Sequence, residues 1–320
     1  MRPQSRTRVH TDGVLFAFGR MIYYWDPLIG EPFEVVERPG IVTSIAYSHN
    51  WQGQPRIWDA CRDGKVRIDL GEEIEAEMDW PIGCLAFIDE HDLESEKWLK
   101  KPILFLIPEI AREEGTKITF HDLRGDVVAQ IKTRTNYEYD QSSDPQVVIC
   151  EGGLFWACGW STVFRGFSTK AADGSFLASN LLLAPTVGRH NFLIAHCHND
   201  STHPEGVIVS TRDKRVLLTY NHRDFGFPRV AGCFRIREEQ RLFLVGGETE
   251  NCGHGVAMIM TVCEVDLSPP IGQKVAPKVI SRLIRPAEHC DYANPFLAES
   301  LADLRRFEAL KEIMDEYHYR

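Results

Sequence analysis

The chain has 320 residues, 43% of them hydrophobic and 26% charged, with a formal net charge of -10. That composition belongs to a folded globular protein and excludes a disordered one. The acidic balance repels phosphate backbones, which sets nucleic acid aside as a direct ligand, and no apolar run reaches the roughly 20 residues that cross a bilayer, so no membrane role is expected.

The first residues, "MRPQSRTR", carry three arginines, but the following "GVLFAFGRMIYY" is broken by Arg20 and has no small-residue cleavage site, so no targeting segment is expected. From residue 13, "GVLFAFGRMIYYWDPLIGEPFEVVE" reads as the later strands of a unit that lacks its first strand. A complete unit follows. "GIVTSIAYS" (40–48) alternates as a strand, Arg56 to Ala60 is short and β-prone, and "KVRI" (65–68) alternates charged and apolar residues. Asp63-Gly64 between the last two is a strong short-range hairpin signal. "GEEIEAEMDW", from 71, reads as an acidic outer strand.

The same order recurs in "IGCLAFID" (82–89), "PILFLIPE", "KITFHDL" (117–123) and "GDVVAQIKT" (125–133). Further units begin at "QVVICEGGLFWACGW", at "NFLIAHCH" with "GVIVSTRDKRVLLTYN", and at "VAGCFRIREEQRLFLVGGE" with "AMIMTVCEVDL". Third strands are expected to end at Asp26, Asp69, Asp122 and Asp266, with weaker equivalents near Ser168 and Leu217. A spacing of about 40 to 50 residues, with four strands per unit, is the period of propeller blades.

On "RDGKVRIDL", "MIYYWD" and this strand order, the chain resembles a divergent WD-repeat β-propeller over about residues 10 to 285. It departs from that pattern in having no Gly-His dipeptide before each first strand and in rarely having Trp before the terminal Asp. The resemblance implies an all-β fold, a propeller of six or seven four-stranded blades spanning 1–285. The missing first strand is expected from "PKVISRLI" (277–284), which would close the ring and leave no open edge.

Residues 286–320 are expected to form a linker and a C-terminal α-helix. Asn294 can cap it, Pro295 fits the first turn, and apolar residues follow at 297, 301, 304, 307, 310, 314 and 317. Such a helix can pack on the rim of its own ring or dock on a partner.

The nine cysteines are odd in number, scattered and set in apolar strands, which fits reduced core thiols in a cytoplasmic or nuclear protein. The segment 189–206 gathers His190, His196, Cys197, His198, Asp200 and His203, and a third zinc ligand could come from Cys252, His254, His289 or Cys290. The spacing matches no defined zinc pattern, and neither metal nor other cofactor is expected. No nucleophile elbow, P-loop, dinucleotide turn or zinc helix occurs, so no catalytic residue is assigned. A propeller-type metal-assisted hydrolase using His196 and His198 is the alternative, with Glu248 or Glu250 beside His254 as a possible base. A phosphoinositide-binding propeller lacks its double-arginine loop.

Aromatic and arginine side chains are the residue types that most often anchor protein interfaces. The candidate partner-binding residues are Trp51, Phe225, Phe227 and Arg229 in loops, with Leu297, Leu301, Leu304 and Leu310 on the expected helix. The resemblance implies a non-enzymatic scaffold or adaptor subunit of an intracellular complex, binding other proteins through propeller loops and the helix.

Overall fold

The computed structural model describes residues 14–26, 31–88, 103–108, 117–132, 145–150, 153–158, 164–165, 183–189, 192–197, 205–210, 215–221, 230–235, 241–251, 256–287, 294–297, 308 and 310. The chain opens with β1 (Val14–Phe18), β2 (Met21–Trp25) and β3 (Phe33–Glu37). A second sheet runs through β4 (Val42–Trp51), β5 (Gln54–Cys61), β6 (Lys65–Ile68) and β7 (Ile74–Glu77). A third follows with β8 (Ile82–Ile88), β9 (Ile103–Pro108), β10 (Lys117–His121) and β11 (Val127–Lys132).

The fourth sheet contains β12 (Pro145–Cys150), β13 (Gly153–Cys158) and β14 (Phe164–Arg165). The fifth holds β15 (Leu183–Arg189), β16 (Phe192–Cys197), β17 (Glu205–Ser210) and β18 (Arg215–Asn221). The sixth is β19 (Val230–Arg235), β20 (Arg241–Asn251), β21 (Val256–Asp266) and, after the short β22 (Gln273–Lys274), β23 (Lys278–Ala287). Finally β24 (Asn294–Leu297) returns to the first sheet, antiparallel to β1 with Leu297 opposite Val14.

Within each sheet strands that follow one another in the chain pair antiparallel, so most of each sheet is built from contacts close in sequence, with β24 of the first sheet and β22 of the fifth arriving from elsewhere in the chain. Between sheets, the leading strands meet in turn: β4 against β1, β8 against β4, β12 against β8, β15 against β12, β19 against β15, and β24 against β19. The arrangement is propeller-like. Its logic is visible in β5, whose last five residues are all buried. Ile57 and Cys61 join Leu15, Ile22 and Tyr24 of the first sheet in one core cluster, while Trp58 and Ala60 join Ile82 and Leu85 of the third sheet in another. A sheet covered on both faces loses the simple apolar-polar alternation of a half-exposed one.

Three sequence expectations change here. The segment 277–284 does not lie beside the N-terminal strands: β23 is the fourth strand of the sixth sheet, paired with β21. The strand beside β1 is β24 instead, so Asn294 and Pro295 stand in a strand and not at a helix start. Pro295 is tolerated there because a strand with one open side does not need every backbone N–H. Helical residues do occur further on, at Glu308 and Leu310.

Leu217, expected near a third-strand end, lies in β18, the fourth strand of its sheet; the third is β17. Ser168 lies outside the described residues. Strand β15 was not anticipated, because Pro185 and Gly188 argue against a strand; it is an edge strand, with a bulge between Pro185 and Val187, where a missing donor is cheap.

Candidate interaction surface

The second sheet shows how the chain holds side chains at one end of a unit. The β4–β5 hairpin turns through Gln52 (φ 53) and Gly53 (φ 86), a two-residue turn with both φ positive whose twist matches that of its strands. Trp51 stands at the base of that turn, opposite Gln54. Its ring meets Trp58 edge-on, with centroids 5.2 Å apart and planes at 80°. Trp58 is fully buried and its Nε1 donates to Ser48 Oγ at 2.9 Å, so the platform under Trp51 is fixed. Trp51 itself is half-buried, while Gln52, Gly53 and Gln54 are exposed.

Strands run alternately, so the β6–β7 turn lies at the same end as this hairpin. There Asp69 (φ 51) and Leu70 (φ 59) take left-handed conformations. Asp69 Oδ1 accepts from Ile57 N at 3.1 Å, and its other oxygen pairs with Arg56 Nη1. The expected third-strand aspartate is thus a brace: it ties the end of β6 to β5 and holds Arg56 beside the surface. Arg56 was not among the sequence candidates; its spacing before Asp69 carries no signal until the two strands are paired.

At the opposite end, Asp63 and Gly64 form the predicted turn. Asp63 Oδ1 accepts from Lys65 N at 3.0 Å, and Oδ2 from Arg67 Nη2 at 3.2 Å. Gly64 (φ 78) lies so close to β7's end that a Cβ would come within 2.3 Å of Met78 O. In the third sheet the β10–β11 turn, the counterpart of the β6–β7 turn, has Asp122 Oδ1 accepting from Arg124 N at 2.8 Å and Asp126 N at 3.1 Å. His121 Nδ1 lies 3.0 Å from Gly125 O, and its ring sits 4.8 Å from that of Trp80.

Between the first and second sheets Arg38 is fully buried. It donates to Asp59 through Nε (2.9 Å) and Nη2 (2.7 Å) and to Gly71 O through Nη1 (2.9 Å). Burial holds the Asp59 carboxyl above the usual carboxylate range, with the Arg38 bond pulling the other way. Burial also pushes the Cys61 thiol up to about 12, and the Cys263 thiol likewise to about 12, so both stay protonated and unreactive at neutral pH.

Of the sequence candidates, Trp51 is placed as described. Phe225, Phe227, Arg229, Leu301 and Leu304 lie outside the described residues. Leu297 is on a strand and not on a helix. Leu310 is fully buried, in the cluster formed by Leu15, Ala17, Ile22, Val42 and Ile45, so its side chain is used in the core and is withdrawn from the partner-facing set. His196 lies on β16 opposite Ala184 and Gly206, and Cys197 opposite Leu183; His190, His198, Asp200, His203, Cys252, His254, His289 and Cys290 lie outside the described residues. Glu248 and Glu250 lie on β20, opposite Ile259 and Ala257. Among the described residues no three His, Cys, Asp or Glu side chains gather as a metal site, and no helix is long and apolar enough to cross a membrane.

No protein-family model and no curated protein matches the chain. Among solved structures, a chain of the mitotic checkpoint complex is similar at 15% identity and a TM-score of 0.46, covering 83% of this chain and 75% of that one. BBS1N, solved in complex with ARL6DN, is similar at 14% identity and a TM-score of 0.44, covering 73% and 71%. Likeness of this degree assigns neither function nor partner.

Proposed function

We propose that the chain is a six-bladed propeller serving as a non-enzymatic scaffold or adaptor, a protein-binding subunit of an intracellular assembly in the cytoplasm or nucleus. The observation that carries the reading is the succession of six meander sheets whose leading strands meet in turn, β24 of the first against β19 of the sixth. Sheets so arranged make a stiff frame that offers many turns at each end, and binding specificity can be spread over them without a deep pocket.

Trp51 on its Trp58 platform, with Arg56 and Asp69 at the same end, is the proposed contact surface within the second blade. A half-buried, pre-positioned tryptophan loses little conformational entropy on binding, the property expected of an interface anchor. Phe225, Phe227 and Arg229, with Leu301 and Leu304, complete the proposed contact set.

The test is affinity purification with quantitative mass spectrometry on the full chain, comparing the natural sequence with Trp51→Ala and with Phe225→Ala/Phe227→Ala. Specific proteins should drop out of the Trp51→Ala sample while its thermal unfolding stays cooperative. An unchanged protein set in both variants would remove these loops as the binding surface.

A further inference from the structure

The outer strands of the sheets carry open backbone groups, and such edges pair with other chains unless something prevents it. Three of them prevent it with charge. Strand β3 carries Glu34 and Glu37, β7 carries Glu75 and Glu77, and β23 carries Lys278, Arg282 and Arg285. Strand β11 is an uncharged run, Val127 to Ile131, closed by Lys132, with Val127 and Gln130 exposed. Strand β18 has its one charged residue, Arg215, at its start, followed by the uncharged run Val216 to Tyr220. That is the edge the chain covers.

The cover is costly in length. Strands β21 and β23 are antiparallel neighbours with Glu264 opposite Lys278, so a two-residue turn just past Asp266 could join them. Residues 267–277 instead leave the sixth sheet and lay β22 parallel along β18 of the fifth, with Gln273 beside Leu218 and Lys274 beside Thr219. Gly272 N donates to Leu217 O at 2.7 Å and Val275 N to Thr219 O at 2.8 Å. Ile271, Gly272, Gln273 and Lys274 are exposed, so the middle of the strap lies on β18 through backbone hydrogen bonds, while Val275 is half-buried and Pro277 buried at its end. Beneath it, Leu218 and Tyr220 are buried and would keep β18 in place if the strap left.

We propose that residues 267–277 are a guard over the β18 edge, and that the partner this edge accepts when uncovered is the same edge of a second copy of this chain. The two strands pair antiparallel about a two-fold axis near Leu218, the symmetry that lets one surface meet itself. The uncharged run supplies matching side chains on both sides, and the carbonyls of Leu217 and Thr219, released from the strap, accept from the partner's amides.

The experiment uses the full chain with residues 267–275 replaced by Asn-Gly, compared with the natural chain by sedimentation velocity over a concentration series. The shortened chain should form a concentration-dependent dimer beyond any association of the natural one. Adding Thr219→Lys should return it to the natural state, because the two introduced lysines then lie diagonally across the axis on one face of the paired strands, roughly 7–8 Å apart. Should the shortened chain not fold, Val275→Pro in the otherwise natural chain removes the donor to Thr219 and is read the same way. A variant that associates no more than the natural chain overturns the proposal, and so does a dimer indifferent to Thr219→Lys.

Discussion

Between the first and second sheets the chain buries an arginine and an aspartate against each other, whereas between the fifth and sixth it crosses with the exposed residues 271–274, held to β18 by backbone pairing. The first junction is specific and unforgiving. Arg38 is removed from water, its ion pair compensates only while both partners stand, and three oxygens, two of Asp59 and one of Gly71, must meet it within 2.7 to 2.9 Å. The second junction makes small demands on side chains and can open without exposing a charge. One chain therefore contains a seam that resists change and a seam that tolerates it, and sequence changes should separate them.

The largest effect is expected at Asp59. Asp59→Ala removes the buried partner of Arg38, leaving it the Gly71 carbonyl and the exposed Glu72 carboxylate at 3.7 Å, and should cost about 3–5 kcal/mol, measured by urea unfolding. The paired change Arg38→Met with Asp59→Leu should cost much less, since it removes the charges together; equal losses would mean the seam is held by packing alone.

Two glycines then sharpen the comparison, because they share a backbone conformation and differ in surroundings. Gly64 has φ 78 and Gly272 has φ 81. Gly64→Ala drives a methyl group into the Met78 carbonyl as well as straining the backbone, and should cost about 2–4 kcal/mol. Gly272→Ala meets nothing within 4 Å and should cost only the left-handed strain, about 1 kcal/mol. Similar losses at both would show that the turn at Gly64 has room to shift.

The smallest effect is electrostatic, at the root of the strap. Asp266 is held below its usual range by hydrogen bonds from the backbone N–H and side chain of Ser268, the former at 2.8 Å. A carboxylate depressed in the folded state contributes stability above its unfolded value of 3.8 and loses it as pH falls through the lower folded value. Asp266→Asn should therefore lower stability slightly at neutral pH and flatten the acid end of the stability-pH curve, converging with the natural chain at low pH; two curves that coincide at every pH would show that the bonds from Ser268 add nothing to the fold.

Much of the architecture was legible because it is local. The Asp63-Gly64 turn and the aspartates at 69, 122 and 266 each depend on nearby residues, and the structure places them where their chemistry requires; the charged-apolar alternation of β6 does not become one buried face, because Arg67 is buried along with Val66. Trp51 was legible as a loop aromatic, which the structure puts at the end of β4, but Arg56 was not, since its role depends on Asp69 across a strand pair. Strand β15 was hidden by Pro185, whose cost vanishes at an edge.

What the sequence by itself determined is the repeated meander: apolar residues at period two, turn residues between them, and strands whose nearest available partners are the adjacent ones in the chain. Only tertiary structure decided which strand completes the first sheet, that Leu310 packs on the ring's own core, and that a loop crosses to cover β18. The reason is physical. Hairpin pairing depends on the order of nearby residues, whereas 278–287 and 294–297 are both extended segments able to add to a sheet. The choice between them is made by which edge lies within reach once the sheets have packed.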